Sequence, residues 1–92
     1  MSKYRLTLFI SGYTPHGQRA VANLKRICEQ EVSDQYELEI IDTLEHPQAA
    51  EKERIVATPT LIRSLPPPMR RVIGDLSDLE KVLSGLDLRR IG

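Results

Sequence analysis

The 92-residue chain carries 13 Lys plus Arg against 13 Asp plus Glu, with three Tyr, one Phe and no Trp, so it is sized for one core. It lacks the basic excess and the aromatic supply that nucleic-acid surfaces usually need. Cys28 is the only cysteine, which excludes an internal disulfide and a two-cysteine redox centre; with no apolar signal core and no stretch of membrane-spanning length, a cytoplasmic protein is expected.

In chain order, Tyr4, Leu6, Leu8 and Ile10 recur at period two and predict a strand, and Phe9 on its other face predicts cover on both sides. Gly12-Tyr13 turns the chain. Thr14 can cap a helix whose first position, Pro15, needs no N–H. Ala20, Val21, Leu24, Ile27 and Cys28 then give that helix one apolar face, and it is expected to run to about Val32. Tyr36 to Asp42 reads as a second strand, so the first half is a βαβ unit with parallel strands and a right-handed crossover.

The second half is less strongly patterned. A short helix is predicted from Pro47 to about Arg54, then a strand over Thr60 to Leu65, then a short antiparallel partner over Arg71 to Gly74. Ser77 with Glu80 predicts a capping box for a last helix from Asp78 to about Leu86. The order βαβαββα matches an α/β, thioredoxin-like architecture in one domain, in which Pro59 of Thr58-Pro59-Thr60 stands where that fold commonly has a cis proline.

A thioredoxin-type site would place Cys-x-x-Cys between the first strand and the first helix, where a helix N-terminus lowers a thiol pKa. That place reads Tyr13-Thr14-Pro15-His16-Gly17. Cys28 falls on the apolar helix face as a structural thiol, about 18 Å from His16 along a continuous helix, which removes that pair as nucleophile and base. His16 and His46 stand beside prolines without the ligand density of a metal site, and phosphate loops, Ser-His-Asp orders and zinc patterns are missing. Glu37 and Glu39 on one strand face read as solvated. No catalytic residue, metal or cofactor is expected. Arg70 and Arg71, after the rigid run Pro66 to Pro68, suit an acidic protein surface and equally suit a solvated edge.

Taken together, Ser11 to Pro15, Ile41-Asp42, Ala57 to Leu61, Leu65 to Ser77 and Gly85 to Leu88 make the chain similar to the KaiB family of clock proteins over nearly its whole length. The resemblance implies a non-enzymatic regulator that binds a hexameric KaiC-type ATPase, promotes its dephosphorylation phase, and competes with or sequesters KaiA and a SasA-type histidine kinase. It implies Arg19, Arg70 and Arg71 as partner contacts. It also implies a homo-oligomeric resting form, a tetramer or dimer ordered βαββααβ, in which residues of about 1–45 keep their fold while those of about 46–92 change. Pro59, Pro66, Pro67, Pro68, Gly85 and Asp87 lie where the two folds would compete, and Gly85→Ala or Asp87→Arg is expected to favour the thioredoxin-like monomer.

Tyr13, Thr7 and Glu39 depart from the residues usual in the cyanobacterial clock members, which suggests a divergent paralogue or a non-clock homologue. The alternative is a thioredoxin-fold stress or chaperone-like protein that acts without KaiC.

Overall fold

The computed structural model describes residues 4–32 and 36–88. Strand β1 (Tyr4–Ile10) leads into helix α1 (Pro15–Ile27), which continues as a π-helical turn over Cys28–Val32, and strand β2 (Tyr36–Asp42) follows. Helix α2 (Pro47–Lys52), the hairpin of β3 (Thr60–Leu65) and β4 (Arg70–Ile73), and helix α3 (Leu79–Gly85) complete the βαβαββα order. The sheet is ordered β2-β1-β3-β4, with β1 parallel to β2 and antiparallel to β3, and β3 antiparallel to β4. The second half therefore joins the first through β3, which pairs with the central strand β1.

Strand alternation divides the side chains of the sheet between its two faces. Leu6, Leu8 and Ile10 face one way and join Leu61, Val72, Ala20, Leu24, Ile27 and Cys28 in a continuous core. Val82, Leu83, Leu86 and Leu88 close that core from the α3 side. Phe9 points to the opposite face yet is only 2% exposed, so cover on both sides holds. That second face is closed less completely, because α2 contributes no buried residue.

Two helix ends differ in detail from the sequence reading. The first helix reaches Val32, but its last five residues are π-helical, and the Cys28 N–H is shared between the carbonyls of Leu24 and Lys25. The cap of α3 is Asp78, which accepts from the Lys81 N–H at 3.1 Å, and not Ser77. The Ser77 N–H is already taken at 3.1 Å by Asp75 Oδ1, a local turn that moves the helix start one residue on.

Candidate functional site

At the carboxyl ends of β1 and β2, where open α/β sheets usually present their sites, one carboxylate organises two loops. Asp42 Oδ1 accepts from the Gly12 N–H and the Leu44 N–H, both at 2.9 Å. Thr14 caps α1 by accepting from the Gly17 N–H at 3.2 Å, as its sequence position predicted. Tyr13, Leu44 and Val56 are left strongly exposed on the loops around this end. The Thr58–Pro59 peptide bond is cis, and the Pro59 carbonyl accepts from the Gly74 N–H at 2.9 Å, tying that loop to the end of β4.

No thiol stands at this end of the sheet. Cys28 is fully buried at the far end of α1, and burial, followed by the neighbouring Glu29 charge, pushes its thiol up to about 12. The thiolate is the nucleophilic form, so the side chain is inert at neutral pH. In the folded protein Cys28 should resist alkylation by iodoacetamide at pH 8 and become reactive only in denaturant, as intact-mass measurement with and without urea would show. His16 and His46 are exposed, and the described residues contain no cluster of three metal-ligating side chains.

The three arginines singled out from the sequence do not form one patch. Arg19, on α1, pairs with Asp75 at 3.5 Å across to the β4–α3 connection, where Asn23 also donates to the Asp75 carbonyl at 2.8 Å. The Asp75 carboxyl is held below the usual carboxylate range, chiefly by the Ser77 hydroxyl and the Ser77 N–H, with Arg19 and His16 adding to the effect. Arg70 and Arg71 are neighbours in β4 and therefore point to opposite faces. Arg71 donates to the carbonyls of Glu53 at 3.1 Å and Arg54 at 3.5 Å, fastening the segment after α2 to β4. Arg70 lies instead opposite Arg63, a residue that the sequence reading passed over. Alternation with Leu61 was the signal that Arg63 faces the core.

Pro66, Pro67 and Pro68 form the exposed turn of the β3–β4 hairpin, with cis bonds at Leu65–Pro66 and Pro67–Pro68. Asp87 follows α3 with φ +52°, and the Asp87 and Leu88 N–H groups close back on the carbonyls of Ser84 and Leu83. This is a Schellman ending in which Asp holds the left-handed position that glycine usually fills. Gly85 packs so closely on β4 that a Cβ there would lie 2.6 Å from Val72 Cγ2.

On the sheet's second face runs an open groove of about 430 Å³, floored by Phe9 and Ile62 and edged by Arg5, Lys52 and Met69. Thr7 and Glu39 face each other across β1 and β2 and line the same groove.

A family model described as the KaiB domain matches residues 7–88. The chain is 54% identical to a circadian clock protein KaiB3 of Synechocystis sp., across 96% of this chain and 86% of that protein. To circadian clock oscillator protein KaiB of Trichodesmium erythraeum it is 56% identical, across 92% and 82%, and to KaiB1 of Synechocystis also 56%, across 92% and 81%. Such similar values do not assign it to either Synechocystis paralogue. Among solved structures, the N-terminal domain of Synechococcus elongatus SasA superposes with a TM-score of 0.71 at 24% identity, covering 91% of this chain and 86% of that one. Mitochondrial thioredoxin 3 of Saccharomyces cerevisiae superposes with a TM-score of 0.75 at 14% identity, covering 95% and 79%. The fold is thioredoxin-like, and by the extent of its sequence match the chain belongs to the KaiB family of circadian clock proteins.

Proposed function

We propose that this chain is a non-enzymatic, fold-switching regulator in the cytoplasm that binds a KaiC-type hexameric ATPase. In this reading it promotes the dephosphorylation phase and competes with or sequesters KaiA- and SasA-type partners. The observation that carries the proposal is identity of 54–56% with circadian clock proteins over more than nine-tenths of the chain. Two features support it. The redox centre of thioredoxins has no counterpart here, with Cys28 buried and inert, and the fold shared with the SasA N-terminal domain suits competition for one surface.

All three proposed contacts are exposed, but Arg19 and Arg71 already hold internal partners and would act by fixing neighbouring backbone. A pull-down with the KaiC-type ATPase of the same organism, with and without ATP hydrolysis, tests the reading. Retention in at least one state is expected. No retention in either favours a stress or chaperone-like role without KaiC.

The proposed resting form is a tetramer or dimer ordered βαββααβ, reached by changing residues of about 46–92 while the βαβ half persists. The geometry of α3 gives the balance a physical handle. Asp87→Gly removes the cost of a left-handed non-glycine residue, about 1 kcal/mol, and Asp87→Arg places a cation at the helix C-terminus, which contributes about 0.3–1 kcal/mol. Both should raise the monomer fraction several-fold on size-exclusion chromatography. Unchanged elution and unchanged circular dichroism would count against the switch.

Gly85→Ala gains about 1 kcal/mol of helix propensity in the same form, and realising it requires the Val72 methyl to turn away. The substitution should therefore stabilise the thioredoxin-like form more in a Val72→Ala background than alone, as a double-mutant cycle in urea would measure. Pro59, Pro66, Pro67 and Pro68 complete the set of residues proposed to govern the change.

A further inference from the structure

Arg63 stands two residues from Leu61 on β3 and opposite Leu6 of β1, both core residues, so its side chain enters the enclosed side of the sheet. It is 4% exposed. A guanidinium keeps its charge at any ordinary pH, so it needs acceptors wherever it is buried. Nη2 donates to the Pro68 carbonyl at 2.8 Å, inside the hairpin turn. The Nε–H is shielded from solvent and has no acceptor. Neither ion pair found among the described residues involves Arg63.

Directly across the β3–β4 ladder, and on the same face, stands the exposed Arg70, which also has no ion pair among the described residues. Like charges opposite one another on neighbouring strands are destabilising, and a buried charge lacking its counterion is more costly still. The arrangement becomes favourable once an anion lies between the two groups, because a guanidinium presents its N–H groups in a planar fork that fits two oxygens of one acid group.

We propose that Arg63 and Arg70 form an oxyanion site beneath the β3–β4 turn, which takes a carboxylate or phosphate group. One oxygen accepts from the exposed Arg70 and the other from the Arg63 Nε–H, which is buried in this conformation and is reached when the Pro66–Pro68 turn over it shifts. Arg71, on the opposite face and committed to the carbonyls of Glu53 and Arg54, takes no part. The inference stands on the burial of Arg63 and not on the KaiC reading, so either can fail without the other.

The arginine Nε–H resonances of the full chain, followed by ¹H–¹⁵N NMR, provide the test. One arm titrates sodium phosphate against sodium chloride at matched ionic strength, and a second titrates a hexaglutamate peptide. A saturable shift of the Arg63 Nε–H is expected in at least one arm: phosphate alone identifies a free anion, the peptide alone an acidic protein segment, and both a site open to either. The exposed Arg70→Gln change should leave the fold intact and weaken binding about tenfold, as loss of one charge-assisted hydrogen bond implies. Arg63→Lys keeps the charge without the fork and should abolish the thermal stabilisation by whichever probe binds; if that variant does not fold, Arg70→Gln decides. No saturable shift in either arm, or binding unchanged in Arg70→Gln, overturns the proposal.

Discussion

Phe9→Ala should lower the free energy of unfolding by about 3–5 kcal/mol, a large share of what a domain of this size has available. Phe9 is the only phenylalanine in the chain, lies on the central strand, and faces away from α1 and α3. Its 2% exposure comes from neighbours such as its cross-strand partners Ile41 and Thr60, and its ring floors the groove. Truncation would leave a void that the short α2 cannot fill. Urea unfolding monitored by far-UV circular dichroism measures the loss, and Phe9→Leu, which keeps most of the volume, should cost less than about 1.5 kcal/mol. A loss below about 1 kcal/mol for alanine would mean that the second face is not a core at all.

Asp42→Ala comes next, at about 1.5–3 kcal/mol, because the carboxylate accepts two backbone N–H groups from different loops. The Gly12 N–H is the partly buried donor and loses most, whereas water can reach the more exposed Leu44 N–H. Gly12 has φ +75°, and a Cβ there would lie 3.3 Å from Leu44 Cδ1, so the two loops are fitted to one another. Asp42→Asn keeps an oxygen acceptor and should cost well under half as much. Hydrogen exchange should quicken at Gly12 and Leu44 in the alanine variant while β3 and β4 remain protected. Equal losses for Ala and Asn would show that accepting these hydrogen bonds is not what Asp42 contributes.

The βαβ half was legible because each of its elements carries a periodic signature: four apolar residues at period two in β1, a capped helix with one apolar face, and Tyr36, Leu38 and Ile40 at period two in β2. The hairpin of β3 and β4 was legible for a different reason, since prolines, which cannot extend a ladder, bracket β3, with Pro59 before it and Pro66 to Pro68 in the turn that leads to β4. The start of α3 was misread by one residue because Ser77 and Asp78 are both good caps, and only the competing turn at Asp75 decides between them. The π-helical turn at Cys28–Val32 has no distinguishing residue pattern.

The candidate site was less legible than the fold. Arg70 and Arg71 were grouped by adjacency in the sequence, but strand geometry separates adjacent side chains and instead joins Arg70 to Arg63, seven positions away. Register across a hairpin turn is a property of the folded ladder, so that partnership became visible only with the strands paired. The partial burial of Thr7, like the meeting of Thr7 and Glu39 in the groove, likewise follows from the β1–β2 register and not from either position alone.

We propose that the thioredoxin-like form is the one that engages a KaiC-type ATPase, which methyl NOE spectroscopy of the labelled chain bound to the unlabelled ATPase ring would establish. Leu61 and Val72 are cross-strand partners in the β3–β4 ladder, and both lie in the core. A strong Leu61–Val72 contact is expected in the complex. Absence of binding, or a bound chain in which Leu61 and Val72 no longer meet, would contradict it.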